Sequence, residues 1–189
     1  MIETGVVQAR FQILHLRHME YILAAKMRCR KLYIGITYPD DSFIQGEPEE
    51  IEEKKRSFLK ENPLTYFERY DMLVKSLEEF GAAKEEFEIV PFPIESHEYI
   101  RQYLPQEATY FMTICDDEDQ RQKRVLEALH LDIEILWRRT LKEKGMTGSE
   151  IRSRILEGRR WRQLVPKTTY EYMRKHGIVE RIKDLGMDA

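Results

Sequence analysis

Little in this sequence favours a secreted or membrane-spanning protein. Its 189 residues include only two cysteines, Cys29 and Cys115, whose spacing matches neither a metal-binding nor a redox motif. They are expected to be reduced thiols rather than a disulfide framework. No apolar run approaches the roughly 20 residues of a membrane span. The N-terminus also lacks the basic and apolar regions of a signal peptide, so we expect a cytoplasmic protein with no membrane partner.

An excess of positive charge is missing as well. The 31 lysines and arginines are outnumbered by 34 aspartates and glutamates, which gives a net charge of −3. Nucleic acid is therefore not an expected partner. The hydrophobic content of 42% is enough for a core. A chain of this length suits one domain, residues 1–189, with a C-terminal helical part over residues 150–189.

Short apolar runs, rich in β-branched and aromatic residues, alternate with helical patterns. Such alternation is typical of parallel strands joined by right-handed helical crossovers. The sequence therefore predicts an α/β fold, a Rossmann-like open parallel sheet with flanking helices. The expected strands are Ile2–Val7, Lys31–Thr37, Glu86–Phe92, Ala108–Cys115 and Ile133–Trp137.

A polar turn follows the first strand and delivers Arg10, Gln12, His15 and His18 within nine residues. An apolar, helix-like segment begins immediately afterwards. Ligands of open α/β sheets bind at the carboxyl ends of strands, and a helix N-terminus presents free N–H groups to phosphates. We interpret both histidines as hydrogen-bond donors to the phosphates of a nucleoside triphosphate. A metal-free surface pair or a helix-capping pair is the plainer alternative.

A second polar segment lies near the C-terminus. Thr147 or Ser149 is a suitable N-cap for a helix, and Arg152 adds a fixed positive charge one turn later. A triphosphate needs donors from two sides, and these two segments supply them.

Four segments together resemble a known family. Arg10-Phe-Gln-Ile-Leu-His15-Leu-Arg-His18 resembles the His-x-x-His signature of the nucleotidyltransferase superfamily, in the form found in archaeal-type nicotinamide mononucleotide adenylyltransferases. Asn62-Pro-Leu-Thr-Tyr-Phe-Glu-Arg69 is similar to their Asn-Pro-Phe-Thr-x-x-Glu-Arg segment. Met146-Thr-Gly-Ser-Glu-Ile-Arg152 resembles the superfamily's Ile-Ser-x-Thr-x-Ile-Arg signature, and Trp161-Arg-Gln-Leu-Val-Pro-Lys167 is similar to the family's C-terminal part. The resemblance runs from Val6 to about Leu185.

The resemblance implies transfer of a nucleoside monophosphate group from a nucleoside triphosphate, ATP first, to a phosphorylated acceptor such as nicotinamide mononucleotide. Pyrophosphate is released. Mg²⁺ would be carried by the triphosphate, with no metal site made by the protein alone, and dimers or larger rings are expected. The implied catalytic residues are His15, His18 and Arg152, and the implied nucleotide-binding residues are Arg10, Phe11, Gln12, Thr147 and Ser149.

The acceptor side departs from that family. Its members hold nicotinamide with an Asn and a Trp after the third strand, and the segment Phe92–Arg101 has neither. We assign Asp116, Asp117 and Arg69 to acceptor binding. Two plainer interpretations stay open: Asp116 or Asp117 caps the following helix, and Arg69 pairs with Glu68. A cytidylyltransferase acting on a small phosphate or phosphonate is therefore an alternative.

Two further features leave alternatives open. Arg17 stands where the family form has Gly, which favours a non-catalytic nucleotide-binding regulatory module as a second alternative. The charge-dense residues 40–61 predict either a solvated helix or mobile insertion, or a lid over the ligand.

Overall fold

Five runs of β-branched and aromatic residues form one parallel sheet. The structure, a computed structural model, describes residues 1–187. The strands lie in the order β3-β2-β1-β4-β5, and every neighbouring pair is parallel. The predicted α/β class is confirmed. The strands are β1 (Ile2–Ala9), β2 (Cys29–Thr37), β3 (Phe87–Phe92), β4 (Thr109–Ile114) and β5 (Asp132–Arg138).

Helices connect the strands and extend the chain beyond the sheet. Short 3-10 turns lie at Lys84–Glu86, Ile94–Tyr99 and Arg162–Leu164. None of the helices within residues 1–187 is long and apolar enough to cross a membrane. The α-helices are α1 (Leu16–Lys26), α2 (Pro48–Glu61), α3 (Tyr66–Glu79), α4 (Ile100–Tyr103), α5 (Asp117–Ala128), α6 (Leu141–Lys144), α7 (Gly148–Leu156), α8 (Lys167–Lys175) and α9 (Ile178–Met187).

The sheet is covered on both faces. Val6 and Val7 are adjacent and both fully buried, but they belong to two separate apolar clusters. Successive side chains of a strand point to opposite faces, so a strand buried on both sides needs a continuous apolar run. This requirement explains why the strands could be located from the sequence.

Helix α8 packs against α3, and α7, α8 and α9 share its core cluster. Ile151, Met173 and Ile178 are in the same apolar cluster as strand residue Ile34. Polar contacts fix the arrangement: both oxygens of the Glu79 carboxylate accept hydrogen bonds from the first backbone N–H groups of α8. The C-terminal part is thus held on the sheet domain close to the site described below.

The charge-dense segment forms α2, in which no residue is buried. Its Phe58 ring lies 6.2 Å from the ring of Tyr38 and 5.6 Å from that of Phe43. This aromatic contact places α2 beside the end of β2. A solvated helix is what the sequence favoured, and closure of this segment as a lid stays a prediction.

Candidate active site

A cavity of about 590 Å³ opens at the carboxyl ends of β1, β4 and β5. The chain leaves β1 towards β2 on one side and later adds β4 on the other. This is the point at which ligands bind in open α/β sheets. Nine of the predicted site residues line the cavity: Arg10, Phe11, Gln12, His15, His18, Asp116, Thr147, Ser149 and Arg152.

The two histidines form a reciprocal cap at the start of α1. The backbone N–H of His18 donates to Nδ1 of His15 over 3.3 Å, and the backbone N–H of His15 donates to Nδ1 of His18 over 3.4 Å. Their rings stack with centroids 3.6 Å apart. The edge of the Phe11 ring supports His18 at 4.9 Å. Both imidazoles are therefore fixed in orientation before any ligand arrives.

This cap also sets the proton positions. An Nδ1 atom that accepts a hydrogen bond carries no proton, so a neutral ring must carry its proton on Nε2. Burial, followed by the positive charge of Arg17, lowers the pKa of His15 from 6.5 to about 4. Burial, followed by His15, lowers the pKa of His18 well below 6.5. At neutral pH the ligand-free site thus holds two neutral Nε2–H donors.

The lowered histidine pKa values predict an acid-sensitive fold. Between pH 6.5 and about 4, His15 is protonated in the unfolded chain but stays neutral in the folded protein. The free energy of unfolding therefore falls as the pH drops through this window. The loss is about 1.4 kcal/mol per pH unit for each histidine that stays neutral. We expect thermal melts of the nucleotide-free protein between pH 7.5 and 4.5 to show this slope.

A matched pair of variants isolates the histidine contribution. His15→Asn keeps a capping acceptor but does not titrate, so its melting temperature should vary less with pH than that of the parent. His97 is exposed and outside the cavity, so His97→Asn is the control for loss of an imidazole elsewhere in the fold. Equal slopes for His15→Asn and the parent would refute the assigned pKa shift.

The second segment predicted to bind phosphate touches the first directly. Thr147 is the N-cap of α7, where its hydroxyl accepts from the Glu150 backbone N–H over 3.2 Å. Arg152 donates to the backbone carbonyl of Gln12. A Cβ on Gly148 would lie only 2.3 Å from that same carbonyl oxygen. Glycine at this position therefore lets the N-terminus of α7 reach the histidine loop.

The side chain of Gln12 is used to hold the loop. Its amide nitrogen donates to the Leu64 carbonyl over 2.8 Å, and its amide oxygen accepts from the Leu64 N–H over 2.9 Å. Phe11 next to it has φ of 52°, a region that non-glycine residues adopt rarely and mostly at functional sites. Gln12 and Phe11 thus shape the turn that carries the histidines.

Arg69 does not reach the cavity. It is 2% exposed, and its guanidinium donates to the carbonyls of Arg10, Thr37, Tyr38 and Pro39. These groups belong to the ends of β1 and β2. The pairing with Glu68 that the sequence suggested is not made, because Glu68 accepts two hydrogen bonds of 2.8 Å from Arg181. The structure therefore corrects Arg69 from an acceptor ligand to a support for the loops.

Arg69→Ala is expected to destabilise the protein by about 3 kcal/mol or more, because it leaves a cavity and several unpaired buried carbonyls. Chemical denaturation measures this change. The exposed Arg28, which lies outside the cavity, gives a matched control, since Arg28→Ala should cost under about 1 kcal/mol. A stable Arg69→Ala protein with a raised KM for the acceptor alone would restore the ligand assignment.

The acidic residues after β4 divide into two groups. Asp116 lines the cavity and is the N-cap of α5, with its Oδ1 accepting from the Asp119 N–H over 3.0 Å. Helix capping, the plainer interpretation, therefore holds for Asp116. Asp117 is exposed and outside the cavity lining, so its assignment to the acceptor has no support in the geometry. Asp116 alone stays a predicted acceptor contact.

Several cavity residues were not predicted from the sequence. Trp137 and Arg139 come from the end of β5, with the guanidinium 4.2 Å from the indole centroid. Tyr38 comes from the end of β2 and lies under the Arg10 guanidinium at 5.8 Å. Tyr38 directly follows a predicted strand, Trp137 ends one, and Arg139 lies two residues beyond that end. Their position at the ends of strands is the signal that would have pointed to them.

The lining suits a triphosphate. On the side of the histidine loop and α7 it combines neutral imidazole donors, arginines, hydroxyls and two helix N-termini, all of which favour phosphate oxygens. Asp116, Glu118 and Asp119 line the side after β4. Within residues 1–187, no group of three or more His, Cys, Asp or Glu residues is placed to hold a metal ion by itself. A divalent cation that entered with the triphosphate would therefore be held mainly by phosphate oxygens and water.

No protein-family model matches the chain. It is 41% identical over 180 residues to the phosphonoformate cytidylyltransferase of Streptomyces viridochromogenes, covering 95% of each chain. It is 25% identical over 186 residues to the nicotinamide-nucleotide adenylyltransferase of Thermococcus kodakarensis, covering 98% of this chain and 89% of that one.

Solved structures show the same fold. A bifunctional NMN adenylyltransferase/ADP ribose pyrophosphatase from Francisella tularensis superposes with a TM-score of 0.69 at 18% identity and covers 98% of this chain. This chain spans about half of that one, 52% of its length. A second structure of that protein, complexed with AMP and a manganese ion, gives a TM-score of 0.67 at 17% identity.

Together with this fold, the 41% identity to a cytidylyltransferase shows the class: the protein is a nucleotidyltransferase, an enzyme that moves a nucleoside monophosphate group to a phosphorylated acceptor. At 41% identity over almost its full length, the chain belongs to the nucleotidyltransferase family of phosphonoformate cytidylyltransferase. The resemblance found in the sequence is confirmed, and an enzyme is favoured over a non-catalytic regulatory module.

Proposed function

We propose that this enzyme transfers CMP from CTP to a small phosphonate or phosphate and releases pyrophosphate. The observation that carries the proposal is the 41% identity to a cytidylyltransferase over 95% of both chains, against 25% to the archaeal adenylyltransferase. The resemblance found in the sequence favoured ATP as the nucleotide substrate. The higher identity to the cytidylyltransferase favours CTP.

The acceptor side supports a small acceptor. The archaeal-type enzymes place nicotinamide-binding side chains after their third strand. In this chain the 3-10 turn Ile94–Tyr99 follows β3. Within the described structure, no residue from 93 to 101 lines the cavity. This segment therefore gives no support for a pyridine pocket.

The proposed chemistry needs no side-chain nucleophile. An ionised phosphonate oxygen attacks the α-phosphorus of CTP, a new O–P bond forms, and the bond to the bridging oxygen breaks in line with it. The electron pair of the broken bond leaves with pyrophosphate. We assign Nε2–H of His18 to the α-phosphate and Nε2–H of His15 to a β- or γ-phosphate oxygen. Catalysis then comes from alignment and from stabilised negative charge.

The leaving group would be held by α7. Its free N–H groups, the Ser149 hydroxyl and the Arg152 guanidinium all border the cavity. Burial lowers the pKa of Arg152, yet at neutral pH an arginine remains charged. Mg²⁺, carried on the triphosphate oxygens, would neutralise part of the developing charge. A homo-oligomer and a cytoplasmic location remain part of this proposal.

A second candidate is adenylyl transfer from ATP to nicotinamide mononucleotide. It is favoured by the archaeal relative, which matches 98% of this chain, and by the sequence segments that resemble its family. The phosphate-binding side is the same for both candidates, so they differ only in the base and the acceptor.

Pyrophosphate release tests the two candidates against each other. Purified protein with Mg²⁺ is mixed with each of CTP, ATP, GTP and UTP, against phosphonoformate, simple phosphonates, phosphocholine, glycerol phosphate and nicotinamide mononucleotide. Release with CTP and a small phosphonate is the expected result. Release only with ATP and nicotinamide mononucleotide would replace the proposal by the second candidate. The His18→Ala protein is the control, because pyrophosphate that it still releases does not come from this site.

A further inference from the structure

Arg17 projects into the cavity from between the two histidines. It is the second residue of α1 and its side chain is 47% exposed. Its charge contributes to the lowered pKa of His15. The position therefore brings a large, solvent-accessible cation to the helix N-terminus that the triphosphate is expected to occupy.

In the ligand-free protein Arg17 rests on Glu20. One terminal nitrogen of Arg17 lies 2.8 Å from Glu20 Oε2, and this is a single contact one turn along an exposed helix face. Such i,i+3 pairs on a helix surface contribute little to stability. A doubly charged phosphate tail offers a guanidinium a stronger, bidentate partner. Arg17 can therefore leave Glu20 at small cost.

The Glu20 carboxylate keeps a positively charged partner when Arg17 leaves. Both of its oxygens also accept from Arg139, over 2.8 and 3.2 Å. Hydrogen bonding to Arg139 is the main cause that lowers the pKa of Glu20 to about 2. The Glu20 carboxylate thus remains ionised and paired with Arg139. Of its two arginine partners, Arg17 is the one held by fewer contacts.

The backbone opposite Arg17 leaves room for its guanidinium. A Cβ on Gly145 would lie 3.1 Å from Arg17 Nε and 3.4 Å from a terminal nitrogen. Gly145 has φ of 69° and lies just before Thr147, the N-cap of α7. Arg17 therefore lies between the histidine loop and the second phosphate-binding segment.

We propose that Arg17 is a ligand of the β- and γ-phosphates, held on Glu20 in the free enzyme and transferred to the triphosphate when the nucleotide binds. The inference rests on the proposed nucleotide site and not on the choice of CTP. It explains why the chain has arginine where the archaeal-type signature has glycine. After chemistry the same contact holds pyrophosphate, so Arg17 discriminates triphosphate and pyrophosphate from nucleoside monophosphate.

The test compares nucleotides that differ only in their phosphates. Calorimetric titration gives dissociation constants for CTP and CMP, and for ATP and AMP. Loss of one charge-assisted contact in Arg17→Ala should weaken triphosphate binding by about 10- to 100-fold and leave monophosphate binding unchanged. Arg17→Lys should recover part of the loss. The inhibition constant of pyrophosphate should rise by a similar factor in Arg17→Ala.

Glu20→Gln separates phosphate binding from a purely structural role. If Arg17 only anchors α1 through Glu20, then Glu20→Gln and Arg17→Ala must lose the same binding, and this result would overturn the proposal. We expect Glu20→Gln to bind triphosphate as tightly as the parent or more tightly, because Arg17 is then free. Equal weakening of CTP and CMP in Arg17→Ala would also contradict it.

Arg138 provides the control for net charge. It is exposed, outside the cavity lining and adjacent to Arg139 in sequence, so Arg138→Ala removes one positive charge at a similar place in the fold. Its ratio of triphosphate to monophosphate affinity should equal that of the parent. The ratio is measured with whichever nucleoside the parent binds, so an incorrect choice of CTP leaves this test intact.

Discussion

His18→Ala is expected to lower the turnover number by at least about 100-fold while the protein remains folded. The neutral Nε2–H donor assigned to the α-phosphate is lost, and loss of one preorganised donor to a charged transition state costs about 3 kcal/mol. The structural cost is smaller, since a lost helix-cap contact costs about 1 kcal/mol. Steady-state kinetics together with circular dichroism measure the two effects separately.

Two comparisons make this result specific. His97→Ala removes an exposed histidine outside the cavity and should leave turnover unchanged. His15→Ala should raise the KM for the triphosphate as well as reduce turnover, since His15 is assigned to the outer phosphates. A folded His18→Ala enzyme with parental turnover would show that the imidazole does not contact the reacting phosphate.

The fold could be predicted because the information lies in short segments. A strand buried on both faces must be apolar throughout, and each such run ends at polar or turn residues. The predicted first strand, Ile2–Val7, is observed as Ile2–Ala9. The predicted fifth, Ile133–Trp137, is observed as Asp132–Arg138, an edge strand with no buried residue, whose run of apolar residues is interrupted by Glu134. Thr65 and Glu68 form a capping box at the start of α3, a pattern that is likewise contained within one short segment.

The role of the histidine pair was only partly legible. The sequence of a strand, a polar turn and a helix predicts that the two histidines lie at a phosphate site. A helix-capping pair was the plainer alternative, but the sequence did not favour it, because histidine is not among the preferred N-cap residues. For this reason the sequence suggested that α1 begins near Met19, and the structure starts it at Leu16. The cap matters for function, since it determines which ring nitrogen carries the proton.

Contacts between distant segments could not be predicted from one sequence. Arg69 donates hydrogen bonds to carbonyls up to 59 residues away in the sequence. Nothing in the segment around Arg69 indicates which carbonyls these are. Similarly, Glu20 and Arg139 are 119 residues apart. In both cases the tertiary fold fixes the geometry of a charged residue, because its partners lie outside its own segment of the sequence.

Gly148→Ala is expected to lower kcat/KM by about 100-fold or more, although it adds only one methyl group. The new Cβ would lie 2.3 Å from the carbonyl oxygen of Gln12 and 2.7 Å from the backbone nitrogen of Ile13. Backbone atoms cannot rotate away as a side chain can. The N-terminus of α7 must therefore move away from the histidine loop, and a displacement of about 1 Å can cost 100-fold in rate.

The displacement should affect function more than stability. Overpacking of this kind costs roughly 1–3 kcal/mol, so the variant is expected to fold with a lower melting temperature. Ser153→Ala lies on the same helix but contacts Glu157 away from the cavity, and it should keep parental kinetics. Because Arg152 donates to the same Gln12 carbonyl, Gly148→Ala should also weaken pyrophosphate binding. Parental kcat/KM in a folded Gly148→Ala protein would mean that the two segments need not touch, and each would then hold its phosphates independently.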